Sequence, residues 1–140
     1  MTEDDPQPQK HTMPQGRAVS VRIPIRLLSE GNVKEHWALK SKRQKRQKGI
    51  VRVMIKPGLR YFNLPATVTL TRLAPRTLDE DNLLYAFKHI RDEIADILIP
   101  GLAFGRADGD PRITWRYGQT KERVFAISIE IVEHPTPRIN

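Results

Sequence analysis

Alternating apolar and polar residues predict four β-strands in this chain. Side chains of a strand point to opposite faces in turn, so a period of two is typical of a strand with one buried face. Residues 19–24, 66–73, 113–117 and 125–131 have this pattern. The polar segment 118–123 between the last two strands is short, and it predicts a β-hairpin.

A first helix is predicted after the first strand. Asn32 is a suitable cap, and the helix is expected to run from Val33 toward Lys48. Gly49 is a plausible end, because glycine commonly follows the last helical residue. Residues 50–55 either continue this helix or begin another element, and the pattern does not decide between the two.

A second, longer helix is predicted between the second and third strands. It begins near Asp81 or Asn82 and ends near Leu98, before a Pro-Gly pair. At about 100° per residue, one apolar stripe is expected to pack on the sheet. That stripe comprises Leu83, Phe87, Ile90, Ile94 and Ile97. A polar stripe on about the opposite side comprises Asp81, Tyr85, Lys88 and Asp92.

These elements predict an α+β domain. We expect a small, mainly antiparallel sheet of about four strands, packed against one or two long helices. The length of 140 residues suits one domain and is short for two cores. Residues 1–16 are polar and proline-containing, which predicts a disordered leader. Residues 17–133 are the expected domain, and residues 134–140 are an expected tail.

The charge balance favours a polyanionic partner. The formal charge is +8 and the pI is near 10.1, which favours nucleic acid or an anionic membrane. No apolar run approaches the roughly 20 residues of a spanning helix, and the acidic N-terminus argues against a signal peptide. The absence of cysteine excludes disulfides and thiolate chemistry. We therefore expect a cytoplasmic protein that contacts nucleic acid and no membrane.

Two acidic clusters stand out in this basic chain. Asp79 and Asp81 lie at the start of the second helix, and Asp108 and Asp110 precede the third strand. Helix caps and Asp-Gly turns explain each cluster taken alone. Together they suit a divalent cation acting on a phosphate backbone, because hard cations prefer carboxylate oxygens. The clusters would meet if the second and third strands were antiparallel neighbours.

Basic residues are expected to bind the phosphate backbone without reading bases. In and beside the first helix these are Lys34, Lys40, Lys42, Arg43, Lys45, Arg46 and Lys48, and elsewhere Arg72, Arg76, Arg106 and Arg112. Lys88 and Asp92 form either an exposed ion pair or the border of a site. Trp37 and Trp115 are predicted to be core or interface residues rather than base-stacking platforms.

Three sequence features together resemble the RusA-type Holliday junction resolvases. They are residues 79–84 (Asp-Glu-Asp-Asn-Leu-Leu), the step from Lys88 to Asp92, and residues 110–113 (Asp-Pro-Arg-Ile) entering a strand. The resemblance covers roughly residues 68–117. It implies a small, homodimeric, magnesium-dependent endonuclease of bacteria and prophages that resolves branched DNA in recombination and repair.

The resemblance also implies roles for single residues. Asp79, Asp81 and Asp110 would bind Mg²⁺ or Mn²⁺, and Lys88 would stabilise charge on the phosphate. Supporting parts would fall to Asn82, Asp92 and Asp108. The family's lysine stands three residues after the asparagine, where this chain has Tyr85, so Lys88 lies one turn further along.

Two functions from different classes follow. The first is a metal-dependent endonuclease acting on branched DNA. The alternative is a non-catalytic basic DNA- or RNA-binding accessory protein of a phage, in which the aspartates are only caps and turns. An assembly protein held by contacts between subunits is a third possibility, and the salt dependence of nucleic-acid affinity separates it from the others.

Overall fold

A computed structural model of the chain describes residues 16–29, 36–102 and 105–134. Its elements are β1 (Ala18–Ile23), α1 (Trp37–Ile55), β2 (Ala66–Ala74), α2 (Glu80–Ala86), α3 (Lys88–Leu98), β3 (Ile113–Lys121) and β4 (Ala126–Glu133). They form one α+β domain with a mixed four-stranded sheet and three helices, which confirms the predicted fold class. No helix in the described ranges is long and apolar enough to cross a bilayer.

The strand order is β1-β4-β2-β3. β4 is antiparallel to both β1 and β2, whereas β2 and β3 are parallel, with Ala66 opposite Ile113 and Ala74 opposite Lys121. The two strands are therefore neighbours, but the antiparallel pairing that would bring the acidic clusters together is not present. The helices between these strands form a crossover that returns the chain to the starting end of β2, and a strand placed beside β2 from there runs parallel to it.

The predicted hairpin between β3 and β4 is wrong. β2 lies between these two strands, and residues 118–121 belong to β3 rather than to a turn. Gln119 anchors this polar part of the strand, because its side chain accepts from Leu78 N (2.8 Å) and donates to Leu78 O (2.7 Å).

The core lies between the helices and one face of the sheet. In β2, Ala66, Val68 and Leu70 are fully buried and alternate with half-buried threonines, as a one-sided strand requires. The predicted apolar stripe of the second helix is confirmed: Leu83, Phe87, Ile90 and Ile94 are buried, and Ile97 is half-buried. Burial of each such side chain contributes roughly 1.5–3 kcal/mol.

The single long helix predicted between β2 and β3 is two helices, α2 and α3, that join at Phe87. The Phe87 amide donates to both Leu83 O and Leu84 O at 3.2 Å. The second of these bonds spans three residues, so it tightens the turn locally. The Phe87 ring is fully buried and contacts Tyr117, which fixes the joint against the sheet.

Helix α1 begins at Trp37 and ends at Ile55, so both of its ends lie later in the chain than predicted. His36 is its cap, with Nδ1 accepting from the Ala38 amide at 3.2 Å, while Asn32 and Val33 lie outside the described ranges. The helix continues through Gly49, which is therefore not its end, and closes before Pro57. The C-terminal half packs on the core through Gln47, Val51 and Ile55, and the N-terminal half is largely exposed.

Replacing Gly49 with Ala is expected to stabilise the protein. Gly49 is helical, and a Cβ added there meets nothing within 4 Å. Alanine should therefore raise the free energy of unfolding by about 0.5–1 kcal/mol, measured by urea denaturation. Gly101→Ala is the control, because open space surrounds that position too, but its φ is +95°. It should destabilise, and an equal gain at both positions would contradict the helical assignment of Gly49.

The first residue of the predicted C-terminal tail contacts the sheet. His134 is tied to the sheet: its amide donates to Pro65 O at 2.9 Å, and its ring hydrogen-bonds Thr67. Residues 1–15 of the predicted leader and residues 135–140 of the tail lie outside the described ranges.

Candidate nucleic-acid interface

α1 lies beside α2 and α3, and a groove of about 760 Å³ separates them. Its lining residues are Lys40, Ser41, Gln44, Lys45, Lys48, Gly49, Arg52, Tyr85, Lys88, His89, Asp92 and Glu93. Five of these side chains are basic and two are acidic, so the groove attracts anions. A concave, positively charged surface of this kind suits the phosphate backbone of nucleic acid.

Both acidic side chains in the groove are neutralised by basic neighbours. Asp92 accepts from Lys88 Nζ at 2.7 Å, and Glu93 forms a partly buried ion pair with Arg52. The remaining lysines of α1 therefore set the sign of the groove. Lys45 is exposed, and Lys40 is half-buried with its ammonium 5.6 Å from the centre of the Tyr85 ring.

Lys88 brings two of the predicted supporting residues together. Its ammonium lies 2.7 Å from Asp92 Oδ1 and 3.4 Å from Asp108 Oδ2. Partial burial works against the charge, but the hydrogen bonds and charges of both carboxylates outweigh it and raise the pKa of Lys88. Lys88 is therefore a protonated cation at neutral pH. Arg91 also contacts Asp108, with Nε 3.2 Å from Oδ2, and holds that loop against α3.

Asp79 is the cap of α2. Its Oδ1 accepts from the Asn82 amide at 2.8 Å, and its Oδ2 accepts from Asn82 Nδ2 at 2.9 Å. Asp79 therefore has the helix-capping role that the sequence also allowed, and Asn82 is its hydrogen-bond partner. Both oxygens remain on an exposed residue, so the cap leaves the carboxylate within reach of solvent.

The cap is expected to contribute measurably to stability. Asp79→Ala should lower the free energy of unfolding by about 1 kcal/mol, because it leaves the Asn82 amide without its acceptor. Asp79→Ser is the matched variant, since serine caps helices about as well as aspartate. Urea denaturation should show a loss in the alanine variant and little change in the serine variant. Equal losses in both would contradict the capping role.

Asp81 is in a different position from Asp79. It lies in the first turn of α2, is exposed, and makes no side-chain hydrogen bond or ion pair with the described residues. Tyr85 follows four residues later and lines the groove. Residues four apart share a helix face, so Asp81 lies on the face that leads into the groove.

Asp110 is engaged by Arg112. Oδ1 accepts from the Arg112 amide at 2.9 Å, and the guanidinium forms a two-point pair with both carboxylate oxygens at 3.0 Å. These hydrogen bonds, those of the side chain first, lower the pKa of Asp110 to about 2. The contact between residues two apart is a local turn of the kind that aspartate favours.

The three acids predicted to bind metal do not meet in this chain. Leu78, next to Asp79, contacts Gln119, whereas Asp110 O accepts from Ile113 N at 3.1 Å. Those two contact points are six residue positions apart along β3, on the order of 20 Å of extended strand. Accordingly, the described residues contain no group of three or more His, Asp or Glu side chains suited to a metal ion. The parallel pairing of β2 with β3 causes the separation.

The basic residues predicted to bind phosphate fall into distinct groups. Lys40, Lys45 and Lys48 line the groove, and Lys34 lies outside the described residues. Lys42 is exposed away from the groove, and Arg43 and Arg46 line a separate cavity of about 240 Å³. Arg76 and Arg106 are exposed in loops. Arg112 pairs with Asp110.

Arg72 does not fit its predicted role. It is only 8% exposed, and its Nη1 donates to Arg76 O at 2.6 Å. Burial, together with the charge of Arg26, lowers its pKa. Its position in the middle strand β2 explains this, since a side chain there points into the interior or along a covered face. Arg72 therefore stabilises the loop before α2 rather than contacting a ligand.

The two tryptophans differ in environment. Trp115 is half-buried against the core, and its indole N–H donates to Asp108 O at 3.0 Å, as expected for a core residue. Trp37 is 76% exposed at the first turn of α1, so it is not a core residue. Only the tilted ring of His36 stacks near it among the described aromatic side chains, at 5.6 Å between centroids.

Some groove residues were not anticipated from the sequence. Arg52 and Glu93 form the ion pair that closes one end, and His89 hydrogen-bonds Gln47 at 2.7 Å below the surface. Gln47 in turn donates to Arg26 O at 3.2 Å, which ties the groove floor to the segment after β1. A signal for Arg52 exists: continuing the helical period past Gly49 places it on the face of Lys45 and Lys48.

The sequence matches no protein-family model and no curated protein. The resemblance to the RusA-type resolvases therefore stays a prediction from the spacing of particular residues.

Proposed function

We propose that the chain binds the phosphate backbone of DNA in the groove between α1 and α2–α3 and acts there as a metal-dependent endonuclease. The main support for the proposal is that the two walls of the groove carry different chemical groups. One wall is the lysine-rich face of α1, and the other is the α2–α3 face that begins at Asp81 and continues through Tyr85, Lys88 and Asp92. A polyanion held by the first wall lies against the ionisable groups of the second.

The side chains of the groove have separable tasks in this proposal. Lys40 and Lys45 bind phosphate oxygens, which positions the backbone without selecting bases. Lys88 is held by Asp92 and Asp108, and its stable positive charge stabilises negative charge that develops on a phosphate. The pairing with two carboxylates restricts Lys88 to the groove, so it is already in place when the substrate binds.

Magnesium or manganese is the proposed cofactor. Asp79 and Asp81 would hold it, since Mg²⁺ often uses only one or two protein carboxylates together with waters and substrate phosphates. Asp110 pairs with Arg112 near the start of β3, away from these two carboxylates, so it would not take part. A bound ion would polarise the phosphate and lower the pKa of a coordinated water.

Branched DNA in the cytoplasm is the proposed substrate, and a homodimer is the proposed active form. A two-fold dimer would present two grooves related by symmetry, which suits paired cuts across a four-way junction. This part of the proposal comes from the resemblance of residues 79–84 and 110–113 to the RusA-type resolvases.

A cleavage assay tests the proposed function. Labelled four-way junction, flap and linear duplex DNA would be incubated with the full chain, with and without Mg²⁺. We expect nicked product from the branched substrates only when Mg²⁺ is present. Binding of all three without product, at any divalent-ion concentration, would refute the endonuclease and leave the backbone-binding groove.

A second candidate is a nucleic-acid-binding protein without catalysis. Its specific support is that Asp79 and Asp110 already have structural partners, Asn82 and Arg112. In that case the aspartates are a cap and a turn, and divalent ions should yield no product and should weaken binding only as other salts do. Mg²⁺-dependent stabilisation of the free protein would argue against this candidate, because a ligand that binds only the folded state raises Tm.

A further inference from the structure

The groove differs from an ordinary phosphate-binding surface in having an exposed aromatic ring on one wall and a second exposed ring beside the first turn of the other. Tyr85 lines the α2 wall and is 49% exposed. Trp37 is 76% exposed on α1. Large exposed aromatic side chains cost free energy in water, and in nucleic-acid-binding proteins such rings commonly stack on unpaired bases.

Trp37 lies on the groove side of α1. Lys40, Ser41 and Gln44 follow it by three, four and seven residues, the spacing of one helix face, and all three line the groove. Leu39 is also exposed but lies on the other side of the helix and lines no part of the groove. The indole is therefore at the N-terminal mouth of the groove, where a strand would enter or leave.

Tyr85 is combined with a cation. The Lys40 ammonium lies 5.6 Å from the centre of its ring, so one α1 lysine bridges the two walls. A base stacked on Tyr85 would place its own phosphate near that ammonium. Along α1 the order is Trp37, Lys40 and Lys45, and Lys40 is the residue that contacts the Tyr85 ring of the other wall.

We propose that the groove accepts an unpaired strand of nucleic acid, with bases stacked on Trp37 and Tyr85 and phosphates bound by Lys40 and Lys45. This inference rests on the proposed backbone-binding function and names the form of the substrate. The recess of about 760 Å³ is within the size range of pockets for single small ligands. It has room for flipped or single-stranded nucleotides, whereas a base-paired duplex has its bases turned inward and offers them no face to stack.

Charge complementarity selects this occupant over a peptide. The groove carries five basic side chains, and both of its acidic ones are paired with Lys88 and Arg52. Every nucleotide of a single strand supplies both a phosphate and a π-face, the two features that these rings and cations would bind. An acidic peptide would satisfy the cations but would lack planar groups at regular spacing.

The test compares single-stranded and duplex binding by the full chain at one salt concentration. The probes are an oligo(dT) of about a dozen nucleotides, within the usual site size for such proteins, and a duplex of the same length. Variants are Trp37→Ala and Tyr85→Ala, with Leu39→Ala as the control of the same helix and similar exposure. Trp37 emission reports stacking directly, and Trp37→Phe supplies the background from Trp115.

Each variant of a stacking residue should weaken oligo(dT) binding about 5- to 150-fold, corresponding to roughly 1–3 kcal/mol per stacked base. Duplex affinity should change less than about twofold, and Leu39→Ala should alter neither. Oligo(dT) should also quench emission in the wild type and not in Trp37→Phe. Equal losses for both nucleic acids, or none, would overturn the stacking proposal while leaving backbone binding in place. Absence of binding to either probe would instead refute the proposed function.

Discussion

Replacing Asp81 with Asn is expected to reduce cleavage of four-way junctions on the order of 10³-fold while leaving their binding intact. Removing one contact that stabilises the transition state costs about 10²- to 10³-fold in rate in other enzymes, and this loss is of that size. Asp81 is exposed and makes no side-chain contact with the described residues, so the variant should fold normally. Its free energy of unfolding should remain within about 0.5 kcal/mol of the wild type. Initial cleavage rates at saturating Mg²⁺ measure the effect.

Glu80→Gln is the matched control for this variant. Glu80 lies in the same first turn of α2, is also exposed, and loses the same unit of charge. A loss in both variants would indicate a general electrostatic effect at the helix start rather than a role of Asp81. Unchanged cleavage by the Asp81→Asn variant would refute the proposed endonuclease and would favour the nucleic-acid-binding protein without catalysis.

Neutralising the α1 wall is expected to have the largest effect on affinity for duplex DNA. The variant Lys40→Gln with Lys45→Gln removes two cations that line the groove. Each lost phosphate contact should reduce the magnitude of the slope of log K against log salt by about 0.9 for duplex DNA. At 0.1 M salt this corresponds to a roughly tenfold loss of affinity. The double variant should therefore bind roughly 50- to 100-fold more weakly in a fluorescence-anisotropy titration, with a slope shallower by almost two.

The same charge change can be made on the other side of the helix. Lys42→Gln with Arg46→Gln removes two cations from α1 that do not line the groove. These residues were also predicted to bind phosphate, so the comparison separates a localised groove from a diffusely basic helix. Affinity within about threefold of the wild type supports the groove. Losses equal to those of the first variant would show that the helix acts only through its total charge.

The helices and strands were predictable because each depends mainly on the pattern of residues within it. The 3.6-residue period alone placed Leu83, Phe87, Ile90 and Ile94 on one buried face, and the alternation in residues 66–73 located β2. Partner and direction of a strand are not encoded in its own period. The parallel pairing of β2 with β3 depends on where the crossover helices return the chain, and that is a tertiary property.

The misassigned segments also have physical causes. Residues 118–121 are polar and resemble a turn, but they extend an edge strand, which has one neighbour and tolerates polar side chains on its exposed side. Gly49 is a poor helix former, yet Val51 and Ile55 pack on the core and keep the helix continuous through it. In both places tertiary contacts override local propensity.

The candidate site was predictable in part. The stripe of Asp81, Tyr85, Lys88 and Asp92 and the lysines of α1 followed from sequence, and most of them line the groove. The contact between Lys88 and Asp108 joins residues twenty positions apart and depends on how the loop before β3 returns to α3. The exposure of Trp37 could not be predicted from the sequence either, because tryptophan is usually at least half-buried.

The most direct test of the backbone-binding groove is to map bound nucleic acid on the protein. Amide chemical shifts of the ¹⁵N-labelled full chain would be followed during titration with oligo(dT). We predict that the perturbed amides cluster in residues 37–52 of α1 and residues 81–92 of α2 and α3, and that the Lys40→Gln, Lys45→Gln variant loses these shifts. Perturbations centred instead on β1 or on the outer side of α1, with the groove unchanged, would contradict the account.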